Sequence, residues 1–450
     1  MGYSSLALGG GMVTNVQKNR YGSNDVVTVQ VERLAHGGEG VGPQTDGEFP
    51  GRMVLARGTA PGDIVKVELS TSKKRFARGS VVEVEEEGPG RQESPCHHSD
   101  LCGGCAWLHV TPEVQRNALQ ANLEFAYRRL VSSPDVFQPL RFGASLGYRQ
   151  RVRLHCRWRQ TGVQLGFREA RGPGIVPISD CKVASPAIRE MLNTLKPILG
   201  SHTAVPRGQG SVTIMEDGKG DLFLLLAGPW ATPILSLARD LGFAGVALEG
   251  KNGREYAGRH VGIWPQTDGR ADLRVLNGGF TQANGEVTQL LIEDLRAELA
   301  AHAPEKVLEL FCGSGTLTIP LFDGSKGTWT GIDAAEDAVM TLRETLVDEE
   351  QLSLFVASAP NEVPPRIGGG VDLCLMDPPR EGAADWLEWL ADKELDTILY
   401  VSCDPMTQVR DVEVLVGSGY EIKKIIGYDM FPNTGHIETL AILVRGGTQK

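Results

Sequence analysis

Five short blocks in the last third of the chain hold residue types that would work together. They are Gly278-Gly279-Phe280-Thr281-Gln282, Leu310-Phe311-Cys312-Gly313-Ser314-Gly315, Asp377-Pro378-Pro379-Arg380, Ser402-Cys403-Asp404-Pro405 and His436-Ile437-Glu438-Thr439. A thiol, a carboxyl and a glycine-rich loop are the parts needed to methylate carbon 5 of a pyrimidine. That carbon is a poor nucleophile. Thiolate addition at carbon 6 makes an enolate whose carbon 5 can attack a sulfonium methyl, and a base must then take the carbon-5 proton so that the thiolate can leave. Cys403, just past the apolar run Ile398-Leu399-Tyr400-Val401-Ser402, is the expected nucleophile. Glu438, set among Ile437, Thr439, Leu440 and Ala441, is the expected base, because desolvation there lifts a carboxyl towards a useful pKa. His436 opens the same expected strand and is a candidate to orient Glu438 or the substrate.

The block from Leu308 to Gly315 runs off a buried strand into a helix, and its glycines let the backbone approach a ligand closely. Asp333 ends the next strand, where a carboxylate can accept from both hydroxyls of a ribose. A glycine loop with a downstream acid also fits a nicotinamide dinucleotide, but the third, helix-packing glycine is missing. The acid-ended strands and Asp377-Pro378-Pro379 favour S-adenosylmethionine. Upstream, Cys96, Cys102 and Cys105 supply three soft ligands on a Gly103-Gly104 turn, and Cys181, in a loop bracketed by Pro177 and Pro186, is the best fourth. Four thiolates suit a [4Fe-4S] cluster or tetrahedral zinc, and His97, His98 and His109 leave zinc open on spacing alone.

These residues need elements to hold them. A chain of 450 residues has room for about three domains. A tail over residues 1–23 is expected to be disordered. Short alternating strands from Val26 to Val84 indicate a small antiparallel β-barrel over residues 24–87, with Lys73, Lys74, Arg75 and Arg78 in a hairpin suited to phosphates. Residues 88–275 read as an α+β domain. It begins with a helix capped by Thr111, with Pro112 first and Leu119, Leu123, Ala126 and Leu130 as its core stripe; that helix, about 112–131, is a candidate to pack on the last domain. A second helix is expected over Ser185 to Leu199, and Arg168 to Gly174 as an exposed turn. From residue 276 to 450 a helix capped by Asn284, carrying Val287, Leu291, Leu295 and Leu299, leads into alternating strands and helices: a doubly wound α/β domain with strands Val307–Phe311, Thr330–Asp333, Val371–Met376 and Thr397–Ser402.

The net charge of -11 argues against a nucleic-acid-binding surface all round, but not against a basic face. Arg141, Arg149, Arg151, Arg153, Arg157, Arg159, Arg168 and Arg171, interleaved with Phe142, Tyr148, Trp158 and Phe167, are opposed only by Glu169. That pattern points to RNA phosphate contact with base stacking. No apolar run reaches the length of a membrane helix, so a cytoplasmic protein is the expectation, with the eight cysteines serving as ligands or catalytic groups rather than disulfides; a monomer is expected as well.

With these residues laid out, the chain resembles the RNA uridine-5-methyltransferase family from about residue 24 to 445. It is most similar to the branch acting on large-subunit (23S) ribosomal RNA, which joins a TRAM domain, an iron–sulfur central domain and a methyltransferase domain. The resemblance implies that Cys96, Cys102, Cys105 and Cys181 ligate a [4Fe-4S] cluster. It also implies that Gln282, Phe311, Gly313, Thr316, Asp333 and Asp377 contact S-adenosylmethionine, and that Cys403 and Glu438 are nucleophile and base. Thr316 stands where the family often has Asn, and Asp333 where it usually has the longer Glu. Leu352 to Pro364 matches poorly. The rivals are a tRNA uridine-5 enzyme, an RNA cytosine-5 methyltransferase and an RNA-binding assembly factor with a relic site. The cytosine reading suffers from the lack of a cysteine after Asp377-Pro378-Pro379. Adenine N6 methylation would want an aromatic residue where Arg380 stands.

Overall fold

The computed structural model describes residues 25–159, 162–201, 208–228, 230, 235, 241–250, 253–267, 269–365, 367, 369–393 and 395–447. The tail expected over residues 1–23 lies outside the described residues. The chain divides into two compact units: residues up to Arg33 with Gly40–Pro89, and Leu34–Glu39 with Gly90 onwards.

Strands β1 (Val26–Gln30), β2 (Arg33–Leu34), β3 (Gly40–Pro43), β4 (Met53–Arg57), β5 (Ile64–Ser72) and β6 (Phe76–Glu86) form one sheet in the order β1-β5-β6-β4-β3-β2. Alternation puts Val27, Val29, Val65 and Val67 on one buried face with Val54, Leu69 and Ala77. The sheet is not wholly antiparallel: β4 runs parallel to β6. An alternating strand carries no mark of its partner's direction, so the sequence pattern could not show this. Lys73, Lys74 and Arg75 lie exposed in the turn between β5 and β6.

In the second unit, helix α1 (Pro112–Tyr127) starts where expected, yet Thr111 makes no side-chain cap bond. The helix also stops short of Leu130, so Leu119, Leu123, Ala126 and Tyr127 form its buried stripe. Strands β7 (Arg151–Arg159), β8 (Gly162–Arg168), β9 (Ile175–Pro177), β10 (Gly208–Glu216), β11 (Leu222–Ala227), β12 (Gly245–Gly250) and β13 (Gly253–Gly258) make a mixed sheet, covered by α2 (Pro186–Ser201). A hairpin of β14 (Val261–Trp264) and β15 (Leu273–Leu276) leads out of it.

The rest follows the doubly wound plan. Helix α3 (Gly285–His302) is capped by Asn284, whose Oδ1 accepts from Val287 N at 3.3 Å. Then come β16 (Lys306–Leu310), α4 (Thr318–Leu321), β17 (Thr328–Asp333), α5 (Glu336–Thr345), β18 (Leu352–Val356), β19 (Leu373–Met376), α6 (Ala384–Asp392), β20 (Thr397–Ser402), α7 (Pro405–Gly417), β21 (Tyr420–Tyr428) and β22 (Glu438–Arg445). The sheet order is β18-β17-β16-β19-β20-β22-β21, parallel except for β22. Its central strands are buried on both faces and therefore read as continuous apolar runs, such as Leu373–Met376. Helix α1 lies against α7 and β21, and the Tyr127 hydroxyl donates to Gln408 Oε1 at 2.8 Å. Among the described residues no helix is long and apolar enough to cross a membrane.

Candidate active site

In a doubly wound sheet, ligands bind beyond the carboxyl ends of the strands, where the chain's winding reverses. Here that reversal falls between β16 and β19, and four of the five blocks lie at that edge. β16 ends at Leu310, one residue earlier than expected, because Phe311 adopts a left-handed backbone with φ of 63°. A non-glycine residue there costs about 1–2 kcal/mol, the kind of strain that gathers at functional turns. The turn throws the chain outward so that Gly313 N donates to Asp333 Oδ2 at 2.8 Å, while Ala335 N donates to Oδ1 at 2.7 Å. Each oxygen keeps a second lone pair for a ligand. Gly313 has φ of 54°, and a Cβ on it would meet nothing within 4 Å, so open space lies in front of this loop. Thr316 is half-buried on the same loop, and the Phe311 ring meets Trp386 edge-on at 6.2 Å.

Gln282 reaches across from the block before α3, its Nε2 donating to Asp377 Oδ2 at 3.3 Å. The loop carrying Gln282 is fixed from below by Arg151, whose guanidinium donates to Gly279 O at 2.7 Å. Arg151 therefore braces the loop that carries Gln282 rather than standing free for RNA. Two more of the arginines expected on a basic face are also engaged: Arg141 forks onto Asp294 at 2.6 and 3.0 Å, and Arg149 lines the cysteine cavity. Arg153, Arg168 and Arg171 are exposed.

The antiparallel register of β20 and β22 ends by pairing Ser402 with Thr439, so Cys403 and Glu438 are the next residues on the two chains, close enough for the Glu438 charge to act on the Cys403 thiol. β22 opens at Glu438 itself, not at His436. Thr439 Oγ1 lies 3.0 Å from Ser402 O and 2.6 Å from Gln408 Oε1, its one proton shared between these acceptors, which pins the rung. Asp404 caps α7, accepting from Met406 N at 2.9 Å and Thr407 N at 3.1 Å, which holds Cys403 at the bend between strand and helix. Glu438 is 2% exposed. Burial, then the Asp377 charge, push its carboxyl well above the usual range, while Arg380 pulls it down. Burial lifts Asp377 to about 7. The half-buried Cys403 thiol is pushed up to about 11 by desolvation and by Glu438, against the opposing pull of the Arg380 guanidinium. Arg380 was legible in the sequence only as a non-aromatic residue after Asp377-Pro378-Pro379; its role depends on β19 and β20 being neighbours. Glu309, fully buried on β16, accepts from Thr318 Oγ1 at 2.7 Å and Trp329 Nε1 at 2.8 Å, and burial lifts it to about 8.

Cys96, Cys102, Cys105 and Cys181 line one small cavity together with His98, Arg149 and Asp180. Gly103 N donates to Arg168 O at 2.9 Å, so the turn from Arg168 to Gly174 is held by the cysteine loop along one edge. Burial raises the Cys102 and Cys181 thiols and takes Cys105 to about 12.

A seven-stranded sheet in this order, with its glycine loop at the reversal point and acids at the strand ends, defines a methyltransferase of the S-adenosylmethionine-dependent kind. Family models match at both ends of the chain: the TRAM domain over residues 23–82 and tRNA (Uracil-5-)-methyltransferase over residues 370–446. The 23S rRNA (uracil(1939)-C(5))-methyltransferase RlmD of Shewanella woodyi is 30% identical over 430 residues, covering 92% of this chain and 95% of that protein. Its namesake from Salmonella typhi is 30% identical over 436 residues, covering 95% and 98%. Among solved structures, the Pyrococcus abyssi tRNA (uracil-54, C5)-methyltransferase in complex with S-adenosyl-L-homocysteine matches with a TM-score of 0.71 at 24% identity, over 93% of this chain and 99% of that one. The chain belongs to the RNA uracil-5-methyltransferase family.

Proposed function

We propose that the protein methylates carbon 5 of a uridine in 23S ribosomal RNA, with Cys403 as nucleophile and Glu438 as base. The observation that carries this reading is that Cys403 and Glu438 follow the last paired rung of β20 and β22, Ser402 with Thr439, with Asp377 and Arg380 acting on both. The ribosomal substrate is favoured by relatives of that name that match along nearly the full chain. S-adenosylmethionine, when bound, supplies an electrophilic methyl on a sulfonium. Cys403 adds as thiolate to carbon 6, carbon 5 takes the methyl as its bond to the sulfonium breaks to leave a neutral thioether, Glu438 removes the carbon-5 proton, and the carbon–sulfur bond to Cys403 breaks to restore the ring. Gln282, Phe311, Gly313, Thr316, Asp333 and Asp377 line the cofactor's place. Glu309, Asp377 and Glu438, each lifted by burial, would be relieved by a positive ligand, which suits a sulfonium donor.

Arg380 is the group that favours the thiolate. Its loss lets the Cys403 thiol rise further, so less of it is ionised at neutral pH. In Arg380→Gln, kcat/KM at pH 7 is expected to fall about tenfold per unit of rise, and the ascending limb of the pH–rate profile to move to higher pH. A profile superimposable on the parent's would show that Arg380 does not act on the sulfur.

The donor set fits a [4Fe-4S] cluster: four thiols around one cavity, with Cys102, Cys105 and Cys181 made costly to ionise there by burial unless a cation compensates. Such a cluster would be held by Cys96, Cys102, Cys105 and Cys181 and would brace the fold, since methyl transfer needs no electron. Protein purified without air is expected to carry about four irons per chain and visible charge-transfer absorption, both lost in Cys181→Ala. Stoichiometric zinc in place of iron would overturn this choice.

The proposal as a whole is tested by incubating the protein with methyl-labelled cofactor, 23S rRNA and tRNA, then digesting to nucleosides. Label in 5-methyluridine from 23S rRNA is expected. Label confined to tRNA moves the substrate, label in cytidine moves the base, and no label reduces the protein to an RNA-binding factor.

A further inference from the structure

The catalytic rung has an aromatic neighbour that the methyl-transfer chemistry does not use. Residues Leu34–Glu39 belong to the second unit, although they interrupt the first in sequence. They form a tight turn closed by Ala35 N donating to Glu39 O at 2.7 Å and Gly38 N to Ala35 O at 2.9 Å. The buried Trp107 indole donates to Gly38 O at 3.1 Å, and Trp107 N donates to Asn433 O at 3.0 Å, so one residue ties this turn to the loop before Glu438. Gly435 permits the approach: a Cβ there would lie 2.5 Å from His36 O and 2.9 Å from Gly38 N. The fit brings the His36 ring to 6.5 Å from His436 at an interplanar angle of 86°, while Phe431 meets His436 at 6.2 Å and 78°. Three rings from two stretches of chain, the Leu34–Glu39 turn and the loop before β22, thus meet two residues before Glu438.

A core explanation would bury them, yet His436 is exposed and His36 and Phe431 are half-buried. The Arg380 charge, which acts on Cys403, also acts on the His436 ring. The aromatic set therefore stands at the mouth of the reacting pair. A uridine turned out of its stack leaves its neighbours in the strand without a stacking partner, and histidine and phenylalanine faces can replace that partner. The uridine itself must lie between Cys403 and Glu438, whereas His36 is one ring further out.

We propose that His36, with His436 and Phe431, forms a stacking site for the nucleobase adjacent to the target uridine, making His36 a positioning residue for RNA. This rests on the reading that the protein methylates a uridine in RNA. The test uses the full-length protein and an RNA oligonucleotide in which either neighbour of the uridine can be made abasic. In His36→Ala the KM for RNA is expected to rise about tenfold, with kcat and S-adenosylhomocysteine affinity unchanged, and His36→Phe to return KM to within about threefold of the parent. One of the two abasic RNAs should raise KM by a similar factor for the parent and add nothing further in His36→Ala. An unchanged KM in His36→Ala, a Phe variant no better than Ala, or additive losses would overturn the proposal. Weakened cofactor binding in His36→Ala would do so too, because the residue would then shape the pocket rather than hold a base. A parent protein that leaves the intact oligonucleotide and 23S rRNA unmethylated sinks the underlying reading instead, a result distinct from all of these.

Discussion

Cys403→Ala is expected to lower methyl transfer by at least ~10⁴-fold, about 5 kcal/mol of transition-state stabilisation, while RNA and cofactor still bind. Without the sulfur, carbon 5 has no route to enolate character, so positioning alone is left. The substitution removes a half-buried thiol from a bend held by the Asp404 cap, and that cap does not depend on the sulfur. Circular dichroism and calorimetric binding of S-adenosylhomocysteine should match the parent. Turnover within tenfold of the parent would remove Cys403 from the reaction.

Glu438→Gln is expected to separate the two halves of the reaction. The thiol can still add and the methyl can still transfer, but no carboxylate takes the carbon-5 proton, so the methylated ring stays bonded to sulfur. The expected result is an RNA–protein band that survives denaturant, with turnover lower by ~10²–10⁴-fold. Adding Cys403→Ala should abolish that band. Normal turnover with no band would show that another group takes the proton. Glutamine is the apt probe because Glu438 is almost fully buried beside Asp377, and an isosteric amide avoids both a cavity and a new charge.

Much of this arrangement could be read before any coordinates, for identifiable reasons. The strands that carry the site are buried on both faces, so each appears as an apolar run ended by Gly, Asp-Pro or Cys-Asp-Pro. Thr397–Ser402 is such a run and has the bounds the sequence suggested. The other ends moved by a residue or two: β16 closes at Leu310 because Phe311 turns left-handed, which composition does not signal. Partner-dependent features were not legible. Thr111 has the right residue type at the right place for a cap, yet no side-chain bond forms, and Thr111 N instead donates to Gly90 O at 2.9 Å. The parallel pairing of β4 with β6, the diversion of Arg151 to Gly279, and the meeting of Arg380 with Cys403 each depend on which segments become neighbours. The same holds for His36, some 400 positions from His436 in the chain.

Because the pairing of β20 with β22 runs up to the residues next to Cys403 and Glu438, the two kinds of mutation should part company. Trimming a methyl from Leu440 or Ile442 softens the interior by about a kilocalorie per mole and leaves the chemistry aligned. Inserting a single residue between Tyr428 and Glu438 risks sliding the last strand by one step, which turns every side chain on it to the opposite side of the sheet. The enzyme can therefore drift widely in hydrophobic content, while the length of that connection is held by the reaction itself.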